Sequence, residues 1–266
     1  MMTAEERKKV AKRRKIKASL MRWSRVVVQI FFFIFYPALF SQAFGAVKSA
    51  FSSIGNGVPI HITAFTIKFL ILCGVTFFLG RIFCGWICTF GAVGDWIYQS
   101  FQFIQKKIKK KLPVIPEKIQ RILQKMKYII LLVIVFLCVC GNSHTITKNS
   151  PWTVFSMVAA GNFSISSYGI ALILLGIIFI GMIVKERFFC QFLCPLGAIF
   201  SLLPEIPVIK LKRKKEQCIP NCTLCKRNCP VGLKLQENSS RDGECICCGR
   251  CRFVCPKGNI KRRHST

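Results

Sequence analysis

Eight cysteines near the C-terminus fall into two similar runs, Cys218, Cys222, Cys225 and Cys229-Pro230, then Cys245, Cys248, Cys251 and Cys255-Pro256. This spacing approximates the C-x2-C-x2-C-x3-C-P ligand set of a bacterial two-cluster ferredoxin, in which three thiolates of one run hold a 4Fe-4S cluster and the fourth reaches to the other cluster. It predicts Cys218, Cys222, Cys225 and Cys255 around one cluster. Cys245, Cys248, Cys251 and Cys229 are expected around the second, with iron bound through these eight thiolates. Such clusters pass electrons one at a time. Zinc also takes four thiolates, but zinc ribbons do not need the C-x2-C-x3-C-P spacing that both runs share. Two irregularities stand out. The first run opens Cys218-Ile-Pro-Asn-Cys222, one residue long; a turn at Pro220 absorbs the excess or leaves Cys218 unligated. Cys247 is an extra thiol, and Cys248 is read as the ligand because it restores C-x2-C-x2-C before Gly249-Arg250-Cys251.

A second repeat lies upstream. Arg81-Ile-Phe-Cys84-Gly-Trp-Ile-Cys88-Thr-Phe-Gly91-Ala92-Val matches Arg187-Phe-Phe-Cys190-Gln-Phe-Leu-Cys194-Pro-Leu-Gly197-Ala198-Ile, with six of thirteen positions identical. Residues four apart share one face of a helix. Cys84 with Cys88, and Cys190 with Cys194, are therefore each expected to present two sulfurs in one direction, and packed repeats would converge all four. These are candidate redox thiols, or ligands of a third cluster or metal. Arg81 and Arg187 stand three residues before each pair and are expected to lower the thiol pKa. The plain alternative is packing, since free Cys behaves as a small buried hydrophobe. Cys73, Cys138 and Cys140 lack ligand spacing and read as packing residues.

A membrane would position these motifs. Just over half of the 266 residues are hydrophobic, 24 of them Phe, yet Lys and Arg outnumber Asp and Glu by 40 to 10. Long apolar runs between basic segments indicate a polytopic membrane protein. Nucleic acid binding is not expected, because the charges flank apolar spans instead of covering a domain with stacking aromatics. The apolar runs are Val26 to about Ala46, Thr63 to Phe83, Tyr128 to Gly141 and Tyr168 to Val184, against the roughly 20 residues a bilayer core requires. The third run is short and needs Lys127 to snorkel; its alternative is an interfacial or buried helix.

Basic residues crowd positions 1 to 25 and the segment from Arg81 to Lys127, whereas Lys48 and Lys148 stand alone in the other two connections. The basic loops and both termini are thus expected in the cytoplasm, and a reducing compartment suits free thiols over disulfides. A cleavable leader ending near Ser41-Gln42-Ala43 is the competing reading. The expected fold is α-helical, with four transmembrane helices as two parallel two-helix repeats and a small C-terminal ferredoxin-like domain. Its parts are a basic N-terminus (1–25), membrane repeat one (26–105), a basic amphipathic linker (106–127), membrane repeat two (128–205) and the 4Fe-4S domain (206–266). Phe101 to Lys111 is expected to lie on anionic membrane lipid. Asp95 is expected to pair with Arg81 or relay a proton. His61 and His144 could approach a haem or quinone, although a satisfied interfacial polar role is the commoner one.

On these residues the chain resembles the NapH-like family of membrane-bound polyferredoxins, quinol dehydrogenase membrane components related to NosR-type and CcoG-type proteins. The likeness rests on Cys84-x3-Cys88, Cys190-x3-Cys194-Pro195 and the two ferredoxin runs. Thr89 departs from it, standing where a first proline is usual. The resemblance implies four spans with cytoplasmic termini in a bacterial inner membrane. It further implies electron transfer between membrane quinone and a partner redox protein, as a component of an oxidoreductase. Two other readings share the same clusters: a copper-reducing enzyme of the CcoG type, and a redox sensor or assembly factor.

Overall fold

The computed structural model describes residues 4–58, 64–109, 115–164, 166–203, 209–213, 218–220, 222–233 and 243–264. Helix α1 (Ala4–Phe35) runs without a break from the basic N-terminus into the apolar stretch. It stops before Tyr36-Pro37, because proline lacks the N–H a helix needs and disfavours helix in the residue before it. The apolar run expected from Val26 to Ala46 is therefore two helices. Its second part belongs to α2 (Leu39–Gly55), which buries Phe40, Ala43, Phe44 and Val47 along one face. Helix α3 (Ala64–Leu79) leads into a π-helical turn at Phe83–Ile87, and α4 (Thr89–Ile108) follows it.

Helix α5 (Glu117–Val139) is longer than the apolar run expected from Tyr128 to Gly141, because helix forms through its basic approach as well. Short α6 (Ser143–Asn149) and α7 (Pro151–Ala159) precede α8 (Gly169–Val184), α9 (Phe188–Phe192) and α10 (Pro195–Leu202). The remaining described elements are α11 (Leu224–Arg227), α12 (Arg250–Val254) and an antiparallel ribbon of β1 (Ile209–Arg213) with β2 (Ile260–His264).

Two helical stretches among the described residues are long and apolar enough to cross a membrane, Lys12–Phe35 and Lys118–Val139. The apolar helices Thr66–Leu79 and Gly169–Val184 are shorter. All four carry large apolar side chains on the outside, such as Ile34, Leu70, Leu132 and Ile173. Such faces suit lipid better than water. The interior is an aromatic cluster that joins the two C-x3-C regions. Phe90 stacks on Phe189 at 4.3 Å and meets Phe155 edge-on at 4.6 Å, with Phe40 and Trp152 packed around them.

Candidate metal centre

The two C-x3-C motifs fold alike, and neither lies within one α-helix. Cys84 is in the π-helical turn and Cys88 at its junction with α4; Cys190 is in α9 and Cys194 caps α10. In both motifs the second cysteine's N–H reaches back five residues, Cys88 to the Phe83 carbonyl and Cys194 to that of Phe189, each at 2.9 Å. This wider π-type loop corrects the expectation of two sulfurs on a single helix face. The chain turns between them instead.

The turn brings all four cysteines to one place. They are buried, and the Cys194 thiol lies within electrostatic reach of Cys190, Cys84 and Cys88. Among the described residues no three Cys, His, Asp or Glu side chains stand close enough to hold a single metal ion. A cubane cluster spaces its thiolates more widely than one ion does, and the surroundings fit such a group. Arg81 Nε is buried without an oxygen or nitrogen partner among the described residues and lies against the Cys84 thiol. Gly197 donates its N–H to Cys194 Sγ at 3.1 Å. Hydrogen bonds to sulfur are one of the means by which proteins tune such clusters.

Burial pushes the Cys88, Cys190 and Cys194 thiols up. Arg187 draws Cys88 and Cys190 down but does not outweigh burial. The expectation that the arginines favour free thiolates is thus corrected, the reason being desolvation of the charged form. Bound iron would remove the thiol protons.

Each arginine crosses to the opposite motif. Arg187 donates to the Cys84 carbonyl and holds Asp95 through Nε at 2.7 Å and Nη2 at 2.5 Å. Asp95 also pairs with Arg25 and accepts from Gln29 at 3.1 Å. Burial alone would raise the Asp95 carboxyl; Arg187 and then Arg25 outweigh it and hold it below the usual range. The expected partner, Arg81, pairs instead with Glu244 at 3.1 Å and donates to the Gly243 carbonyl at 2.9 Å. Space explains the crossing. A side chain at Gly91 would overlap the Arg187 guanidinium, and one at Gly197 would crowd that of Arg81.

The ferredoxin runs rest on these motifs. The thiols of Cys229, Cys245, Cys248 and Cys251 act electrostatically on one another, and Cys225 on Cys251. Burial pushes Cys229 up to about 11. Cys222 and Cys255 are half-buried, and Cys218 Sγ lies 3.8 Å from Asn259 Nδ2. Cys247, at φ 50°, turns its thiol toward the Leu79 carbonyl at 3.6 Å. Its own carbonyl accepts from Trp86 Nε1 at 3.4 Å. Gly85 admits the Ile246 backbone, which a side chain there would block. At the corresponding position of the second motif, Gln191 donates to the Pro230 carbonyl at 2.7 Å. Glu186 and Arg250 close the contact at 2.7 Å.

Sequence reasoning missed Arg25, Lys127, Glu186, Gln191 and Glu244. A signal existed for the acids. The chain has only ten, and two of them stand immediately before Arg187 and Cys245. Of the other candidates, His144 is exposed in α6, and His61 and the end of the basic stretch at Lys111 lie outside the described residues. Cys138 is fully buried, as a packing role requires, whereas Cys140 is exposed.

Long apolar helices under a cysteine-rich terminal segment define the class, a membrane iron-sulfur electron carrier. A family described as a 4Fe-4S binding domain matches residues 61–111 and again 169–214. Each match contains one C-x3-C motif, and both lie before Cys218. An uncharacterised protein of Methanocaldococcus jannaschii is 32% identical over 75% of this chain and 71% of its own length. Ferredoxin-type protein NapH of Escherichia coli is 27% identical over 66% of this chain and 59% of its own. Protein NirI of Paracoccus denitrificans is 29% identical over 71% of this chain but 28% of its own. No solved structure matches. The chain belongs to the NapH/NosR-like family of membrane iron-sulfur proteins.

Proposed function

We propose that the protein carries electrons between membrane quinol and a partner redox protein, through 4Fe-4S clusters on the cytoplasmic side. In this reading α1, α3, α5 and α8 are four spans arranged as two repeats, α1 with α3 and α5 with α8, with both termini cytoplasmic. Cys218, Cys222, Cys225 and Cys255 hold one cluster and Cys245, Cys248, Cys251 and Cys229 another. Cys84, Cys88, Cys190 and Cys194 hold a third. The doubled family match over the C-x3-C regions supports the last assignment.

One observation carries the quinol reading. A cavity of about 90 Å³ lies among α1, α4 and α12, with Cys248 in its wall. Gln29, Arg25, Asp95 and Arg250 are among its polar lining, and Phe253 and Val254 among its apolar lining. Hydrogen-bonding groups beside an apolar wall suit a quinol headgroup, and Arg22 lines its exposed edge. Asp95, held ionised between two guanidiniums, orients Gln29 and does not take the proton. The metal-ion reductase reading has less support, because all four thiols are buried among the described residues.

The test uses anaerobically purified protein in lipid nanodiscs, mixed with a menaquinol analogue and followed by cluster absorbance and electron paramagnetic resonance. Cluster reduction is expected, slower in Gln29→Leu. Intact clusters that accept no electrons would sink the quinol reading.

A further inference from the structure

Two carboxylates, Asp95 buried and Glu244 half-buried, occupy matching positions, and only one of them belongs to the membrane motifs. Asp95 lies between Arg25 of α1 and Arg187. Glu244 lies between Lys127 of α5 and Arg81. Arg81 and Arg187 are the same position of the two C-x3-C repeats, and each reaches over a glycine of the other. Asp95 follows Gly91 by four residues, and four residues after Gly197 the sequence has Ser201. The second motif therefore lacks its own acid. Glu244 occupies the vacant role, with Tyr128 hydroxyl 2.9 Å from Ser201 Oγ and 3.4 Å from Glu244 Oε1.

Glu244 directly precedes Cys245. Arg81 is 1% exposed and Lys127 0%, so removing their carboxylate takes the ion-pair partner from two buried cations and leaves Arg81 only the neighbouring sulfurs and the Gly243 carbonyl. The docked position is thus favoured by the charge balance of the membrane part itself. Gly243 sits so close to the Ser201 carbonyl that a side chain there would be excluded.

We propose that Glu244 is a positioning residue that locks the segment carrying Cys245, Cys248 and Cys251 onto the C-x3-C quartet, supplying the acid the second motif lacks. The ferredoxin segment is then a fixed terminus and not a swinging head. The proposal rests on the cluster reading above for its purpose, but its test does not depend on quinol activity.

The full chain with its clusters, in nanodiscs, is compared with Glu244→Gln, Glu244→Asp and the double variant Glu244→Gln/Ser201→Asp. Two readouts are used: tryptic cleavage within the C-terminal segment, and the emission of Trp86, which touches Cys247. Glu244→Gln is expected to lose protection and shift Trp86 emission to the red, while Glu244→Asp keeps both. Ser201→Asp is expected to restore the melting temperature of Glu244→Gln without restoring protection. Unchanged protection in Glu244→Gln, or full recovery of protection by Ser201→Asp, would overturn the proposal. Should Glu244→Gln fail to fold, rapid cleavage of the segment in the wild-type protein is the refuting result. Wild-type clusters that ignore quinol, with protection still dependent on Glu244, would sink the quinol reading alone.

Discussion

The guanidinium of Arg187 lies across the backbone of Gly91, where a side-chain carbon would stand. From there it donates to the Cys84 carbonyl and grips Asp95. Gly91→Ala is therefore expected to displace a buried ion pair and cost about 1–3 kcal/mol, the usual cost of overpacking. Gly45→Ala is the control. Nothing lies within 4 Å of a side chain at Gly45, so helix propensity predicts a gain of up to about 1 kcal/mol. Thermal unfolding of both variants in detergent checks the contrast.

Asp95→Asn leaves Arg25 and Arg187 buried without their carboxylate. The expected cost is about 3–5 kcal/mol, as for breaking a buried pair on one side. The pH dependence has a definite sign. Because the folded carboxyl titrates below its ordinary value near 3.9, its contribution is complete above that pH and is lost as the pH falls through the folded value. Melting temperature measured from pH 7 down to pH 3 should lose part of its acid limb in Asp95→Asn. An identical acid limb in both proteins would count against the ion pair.

Cys229 and Cys247 are expected to behave oppositely. Cys229 stands with Cys245, Cys248 and Cys251 although it belongs to the first run, whereas Cys247 turns to the Leu79 carbonyl. Cys229→Ser should lose one cluster signal in electron paramagnetic resonance, with a matching fall in bound iron. Cys247→Ser should keep every cluster signal. The reverse outcome would exchange their roles.

Much of the chemistry was legible in the residues alone. Thiol spacing read out the iron-sulfur character because ligand geometry constrains short sequence separations, and the matching C-x3-C segments showed themselves as a repeat because identity survives at six positions. Helix ends were less legible. The break at Tyr36-Pro37 lay in view, but hydropathy averages across a proline. The length of α5 was hidden because Lys127 looked like a flank, and only its buried contact with Glu244 makes it part of the interior.

What the tertiary structure alone decided is who pairs with whom. Composition told that acids are scarce, and proximity in sequence pointed Asp95 toward Arg81. The fold crosses the arginines instead, and each guanidinium packs over the glycine of the opposite motif. The same crossing leaves Arg81 short of a carboxylate and draws Glu244 in from 163 positions away. Spacing along a chain determines local ligand sets; charge compensation in a buried, low-dielectric centre depends on which segments fold together, and that belongs to three dimensions.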